Sequence, residues 1–242
     1  MSIEAHQITV GGIRVDVVRK RIKNLHLGVY PPHGRVRVAA PLSVSDEAVR
    51  LAAVVTRMGW IKRQRAKFDA QPRQSARAYV SGESHFFLGQ RYRLNLIEGA
   101  RAGHVQVRNS RSLDLHVRAG SDQRVRERVF QGWYRQELRS RAAPVIEKWA
   151  SNLEISTPAW GIKRMKTKWG TCNIEARRIW INLEMIKKPP QCLEYIVVHE
   201  MAHFFERHHS DRFVALMDRL LPQWRILRDE LNREPLGHER WL

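Results

Sequence analysis

Over residues 8–40 and again over 86–117 the apolar side chains recur at every second position; from about residue 122 they recur at helical spacing. This switch of period constrains the fold more than any other feature. Alternation builds a sheet with one covered face, and a three-to-four spacing builds a helix with one apolar stripe. Ile13, Val15 and Val17 alternate with Arg14 and Asp16; Leu25, Leu27 and Val29 repeat the pattern, as do Val36 and Val38. Pro31, Pro32 and Gly34 mark a turn between the last two of these strands. Ser45 is placed to cap a helix that starts at Asp46 and runs to Trp60 and Ile61. The basic residues crowding the end of that helix suit its C-terminal dipole.

Residues 69–78 read as a polar linker. Strands resume at Phe86–Leu88, Tyr92–Leu96, Val105–Val107 and Leu113–Val117. Gly120 and Ser121 then interrupt the chain, and Val125, Val129, Trp133, Leu138, Ala142, Ile146 and Trp149 follow at helical spacing, with Pro144 expected to kink or break the helix. The chain is therefore expected to be α+β: a β-rich N-terminal domain over 1–119, then a mainly helical domain with a short hairpin over 120–242. No internal repeat is visible. Trp133, Trp149, Trp160 and Trp224 are expected in the core.

Charge bounds the partners. Forty-three Lys and Arg against 24 Asp and Glu give +19 at pH 7. Such a field attracts polyanions, so nucleic acid or a nucleotide is a candidate partner through the basic surface. Arg124, Arg128, Arg135 and Arg139 form one basic helix face. No apolar run approaches the roughly 18 residues of a membrane span, so no membrane partner is expected. The N-terminus has no basic start followed by an apolar stretch, and Cys172 and Cys192 alone build no disulfide framework. A cytoplasmic location is expected.

The chemistry concentrates in YIVVHEMAHFFERHHSDRF, residues 195–213. His199 and His203 stand four apart and leave one face of a helix. Two neutral imidazoles there make a divalent-metal site, zinc being the usual ion. Glu200 reaches a metal-bound water without ligating the metal and fits a general base. The apolar run Ile196–Val198 implies a buried helix, whose polar groups need compensation that a metal supplies. Catalytic zinc takes a third protein ligand, and Glu206, His208 and His209 are candidates. On an unbroken helix Glu206 stays on the ligand face, His208 points away and His209 lies about 80° off. His209 is favoured if the helix ends near Glu206 or Arg207 and the chain turns back. Its spacing from His203 equals that of H-E-x-x-H-x-x-G-x-x-H metalloproteases, with Glu206 at the Gly position.

Around this helix Gly170 is expected to permit a bend or a close approach of backbone. Cys172 reads as packing. Lys166 and Lys168 are expected on one face of a strand, where they could hold a phosphate or carboxylate beside the metal. Trp169 and Asn182 are further candidate substrate contacts, Asn182 equally a structural hydrogen-bonding residue.

HEMAHFFERHHSDRF resembles the signature of the YgjP-like metallopeptidase domain, a group related to the SprT-like and minigluzincin proteins. Lys168-Trp169-Gly170-Thr171-Cys172, Ile181-Asn182-Leu183, Pro189-Pro190 and Tyr195 to Val198 resemble a second block of that family, and Gly82 to Leu96 a third. Lys168, Thr171 and His208 depart from the residues usual there. The resemblance implies a zincin-like C-terminal domain with one zinc per chain on His199, His203 and His209, and Glu200 as base. It also implies a hairpin above the metal, with Trp180, Ile181 and Asn182 near the cleft. The leading expectation is a zinc metallopeptidase acting on a peptide or protein laid along the hairpin edge. The alternatives are a metal-dependent nucleoside triphosphate pyrophosphohydrolase, for example on UTP, and a DNA-associated SprT-like protease. Tyr195 and Lys168 are candidate oxyanion helpers.

Overall fold

The computed structural model describes residues 5–30, 34–70, 77–165 and 168–233. Pro31 and Pro32, most of the linker expected at 69–78, and Lys166 lie outside them. The chain divides into two compact units, one within 1–73 and one within 74–239.

The first unit opens with strands β1 (Ala5–Val10), β2 (Ile13–Lys20), β3 (His26–Tyr30) and β4 (Arg35–Pro41). They form one sheet in the order β1-β2-β4-β3, with β2 and β4 parallel and both outer pairs antiparallel. Val15, Val17, Val36 and Val38 are buried on one face against Val49, Val54 and Ile61. The helix expected from Asp46 to Ile61 exists but is not uniform. Ser45 caps it, its hydroxyl accepting from the Ala48 N–H at 3.2 Å. Helix α1 (Asp46–Ala48) passes into a π-helical stretch, Val49–Val55, before α2 (Met58–Ala70) restarts. The Thr56 hydroxyl donates to the Ala52 carbonyl at 2.7 Å, while the Thr56 N–H reaches back to Leu51. The Thr56 hydroxyl thus shares the carbonyls at the end of the π-helical stretch, where such back-bonding bends a helix.

The second unit begins with β5 (Ser84–Phe87), β6 (Gln90–Glu98), β7 (His104–Asn109) and β8 (Ser112–Val117) in the order β5-β6-β8-β7. The central pair is again parallel and the outer pairs antiparallel. Strand order and directions thus match those of the first sheet, a likeness that the sequence does not announce. Helix α3 (Gln123–Asn152) follows, capped by the Asp122 carboxylate, which accepts from the Val125 N–H at 2.8 Å. It runs unbroken through Pro144. Proline removes one donor, but the buried stripe Phe130, Tyr134, Leu138, Ala142, Ile146 and Trp149 continues on both sides and holds the helix.

That stripe packs with Leu94, Leu113, Leu115 and Val117 of the preceding sheet in one core. The change of period near residue 119 therefore falls inside a unit, because the strands before it and the helix after it bury the same apolar surface. The core continues through β9 (Ala159–Lys163), β10 (Gly170–Asn173), β11 (Arg178–Asn182), a 3-10 turn at Leu183–Lys187, and helices α4 (Pro190–Ala202), α5 (Asp211–Leu220) and α6 (Trp224–Arg233). Trp149 and Trp224 are buried in it, and Trp133 and Trp160 are partly buried against it. The class is α+β. No helix among the described residues is long and apolar enough to cross a membrane.

Candidate metal centre

Helix α4 starts with Pro190 in its first turn, where a missing N–H costs nothing, and buries Ile196, Val197 and Val198. His199 and His203 then emerge on one face with ring centroids 5.0 Å apart. The helix ends at Ala202, one turn earlier than the sequence suggests. The N–H groups of Phe204, Phe205 and Glu206 fold back onto Met201 and Ala202, each at 3.0 Å. Helix α5 restarts at Asp211 with the Ser210 hydroxyl as its cap. This reversal carries His209 back to α4, its Nε2 3.1 Å from Nε2 of His199. One nitrogen from each of His199, His203 and His209 lies within 4.8 Å of the others.

The trio suits a divalent ion. Tetrahedral zinc with Zn–N bonds of about 2.05 Å puts ligand nitrogens about 3.3 Å apart, close to the His199–His209 separation. The His203 Nδ1 lies 3.0 Å from the Glu206 carbonyl; donating there leaves Nε2 free as a ligand. Burial, reinforced by the neighbouring imidazoles, pushes His199 down to about 3, so it stays neutral, the form that a metal ligand requires. His208 stands outside the trio, and the Glu206 carboxylate faces Arg212 at 3.5 Å. Phe213, one turn into α5, lies 5.1, 4.8 and 4.8 Å from the rings of His199, His203 and His209. It forms an apolar floor under the trio. The sequence offered only its position, four residues after His209.

Glu200 is buried beside β10, and Gly170 makes the room: a Cβ there would stand 2.6 Å from the Glu200 Oε1. Burial lifts the Glu200 carboxyl to about 8, with the nearby Lys168 charge pulling the other way. Tyr195, one turn before His199, is buried with its ring 5.7 Å from the histidine. Burial pushes its phenol up to about 12, so it remains a donor. These groups share a cleft of about 940 Å³ whose walls include Lys168, Gly170, Cys172, Arg207 and Arg228. Burial and the Glu200 charge push the Cys172 thiol up to about 11, keeping it protonated.

The strand at the cleft is not the one expected. The sheet order is β10-β11-β9, so β10 is the edge and β11 the centre. Trp180 leans over Gly161, where a Cβ would meet its ring at 2.5 Å, and carries the Lys163 ammonium 3.6 Å from its centroid. Asn182 is fully buried. Its amide donates to the carbonyls of Met165 and Lys168 at 2.9 and 2.7 Å and accepts from Met165 and Glu184 at 3.2 Å. Nothing of it is left for a substrate; it ties down the segment leading into β10. Lys168 precedes the strand and sits exposed on the cleft rim. Trp169 is half-buried against the core under the Lys188 ammonium, 5.2 Å from its ring. On α3, Arg135 donates to the Ile162 carbonyl at 2.7 Å and Arg139 covers Trp160, so half of that basic face serves packing.

No curated protein matches the chain. Two solved metallopeptidase zymogens resemble part of it. Abylysin of Pyrococcus abyssi is 16% identical over 39% of this chain and 98% of its own, with a TM-score of 0.36. Jannalysin of Methanocaldococcus jannaschii is 18% identical over 37% of this chain and 92% of its own, with a TM-score of 0.34. The sequence profile of the YgjP-like metallopeptidase domain matches residues 23–234, nearly the whole length, and the chain belongs to that family.

Proposed function

We propose that the protein hydrolyses peptide bonds using one zinc ion per chain held by His199, His203 and His209, with Glu200 as general base. The observation that carries this reading is the convergence within 4.8 Å of three imidazoles, two from the end of α4 and one from the loop that follows it, beside the buried Glu200 carboxyl. Three nitrogen ligands suit zinc, and the ion would act as a Lewis acid that brings water into the nucleophilic range near neutral pH.

The chain's own groups supply the rest. Glu200 sits buried in a tight slot against Gly170, with a proton affinity raised to about 8. A carboxyl tuned toward neutrality takes a proton from the attacking water and returns it to the leaving amine. The Tyr195 hydroxyl, held protonated by burial, is available to a developing oxyanion. The edge strand β10 suits an extended substrate. The Asn182 N–H donates to the Trp169 carbonyl at 2.9 Å. By antiparallel alternation, Gly170 and Cys172 then turn their backbone groups away from β11, toward the cleft. A peptide adding there gains main-chain hydrogen bonds.

Lys168 lines the cleft near Glu200, where its ammonium could meet an anionic group of a substrate; Lys166 is outside the described residues. The test is cleavage of an unfolded protein by the zinc-loaded chain and by Glu200→Gln, with metal content measured on both.

A further inference from the structure

The first unit carries a second cluster of interest, remote in sequence from the metal ligands. Lys and Arg outnumber Asp and Glu by 13 to 4 between residues 5 and 70. Among the described residues only one face of its sheet is covered by helix: Ile8, Leu27 and Val29 pack into the core with Val15, Val17, Val36 and Val38. By the alternation of a strand, the opposite face carries Gln7, Arg14, Asp16, His26, Gly28, Tyr30, Arg35 and Arg37, with Val18 buried at its far end. Tyr30 is 41% exposed, and the hydroxyl end of its ring lies beside Gly28, where a Cβ would be 2.6 Å away. It stands directly opposite Arg35 in register.

At the end of this face, where β2 and β4 both begin, a cavity of about 380 Å³ is lined by Gly12, Arg14, Asp16, Gly34, Arg35 and Arg65. Asp16 is the acidic group among these and is already engaged, accepting from the Gln7 amide at 2.6 Å and pairing with Arg35. Arg65 reaches in from α2 beside Gly34. Gly34, at φ +64°, has no room for a side chain because the Arg65 Cγ would lie 2.5 Å from it. The Arg65 Nε is buried with no hydrogen-bond partner. A buried guanidinium N–H without an acceptor is costly, and a phosphate oxygen is the acceptor that a guanidinium fork matches best.

We propose that this face binds an unpaired strand of nucleic acid, with a phosphate in the Arg14–Arg35–Arg65 pocket and a base stacked on Tyr30. The combination argues for a strand with both features: arginines alone fit any anion, but an exposed aromatic ring on the same face beside them fits a base. A duplex hides its bases and cannot use Tyr30.

The test is fluorescence anisotropy on the full chain with a fluorescein-labelled 20-residue thymidine strand, a duplex of the same length, and polyglutamate as competitor. The unpaired strand is expected to bind more tightly than the duplex and to resist polyglutamate. Tyr30→Ala should weaken it about fivefold or more. Arg14→Ala/Arg37→Ala and Arg65→Ala should each weaken it and flatten the salt dependence, by about 0.7 in log–log slope per lost phosphate contact. Arg124→Ala/Arg128→Ala on the second unit removes the same charge as the double variant and should matter far less. Thermal melts accompany every variant; if Arg65→Ala unfolds, the Arg14/Arg37 pair, exposed or half-exposed on the open face, carries the test. The proposal is overturned if the two arginine doubles weaken binding equally, if Tyr30→Ala leaves it unchanged, or if polyglutamate or the duplex binds as well as the unpaired strand.

Discussion

Gly170 and Glu200 are packed so that a Cβ on the glycine would lie 2.6 Å from Oε1 and 2.7 Å from Cγ of the glutamate. All the close atoms belong to one side chain with rotatable bonds. Gly170→Ala should therefore displace the carboxylate instead of breaking the strand. The expected result is a melting temperature within a few degrees of wild type, full metal content, and a tenfold or larger fall in kcat, about 1.4 kcal/mol of transition-state stabilisation. Unchanged turnover would mean that Glu200 does not work from this slot.

The loop that ends α4 early brings His209, the proposed third ligand, back to His199. His209 lies 3.1 Å from His199, whereas His208 is outside the trio. His209→Ala should lower metal content sharply, and His208→Ala should leave it near one per chain, as read by elemental analysis after gel filtration. Equal retention in both would remove His209 from the ligand set.

Asn182 separates a structural role from a substrate-binding one. Replacing it by Ala leaves the Met165 and Lys168 carbonyls and the Glu184 N–H without their present partner. Unsatisfied buried groups cost about 1–3 kcal/mol. A lowered denaturation midpoint with an unchanged KM is expected. A raised KM at full stability would instead make Asn182 a substrate contact.

The pH dependence of stability has a source away from the metal ligands. His85 is buried between the rings of Phe130 and Tyr79, at 4.5 and 5.4 Å. Burial, with the Arg77 and Lys187 charges, holds it down to about 4, against the pull of Glu83 at 3.1 Å. In the unfolded chain it titrates near 6.5. Between those values the unfolded state binds the extra proton, so stability is lost as pH falls from 6.5 toward 4. Urea midpoints of the metal-free protein across that window should drop, and His85→Gln should flatten the drop relative to wild type.

Much of the site was legible because it is local. The four-residue spacing of His199 and His203, the adjacent Glu200 and the apolar run before them need only helical geometry. His209 was favoured among three candidates only on condition that the helix stop near Glu206 or Arg207, and it stops at Ala202. What escaped depends on long-range pairing. Nothing in the spacing of β9, β10 and β11 says that β11 takes the centre and β10 the edge, so Trp180 and Asn182 were expected at a cleft that they do not face. The shared core of Leu113 and Phe130 is equally invisible to a reading by period, which is why a boundary suggested itself near 119. Pro144 shows a local preference overridden by packing on both sides of it. Gly170 was legible as a close approach; that its partner is Glu200 required the fold.

The account stands most directly on Glu200. With zinc content and turnover measured on the same preparation, Glu200→Gln should keep about one zinc per chain and the wild-type melting curve while cleavage of an unfolded protein falls by at least a hundredfold, the range a lost general base gives. Loss of zinc together with activity would make Glu200 a ligand, and retained cleavage would end its role as the base.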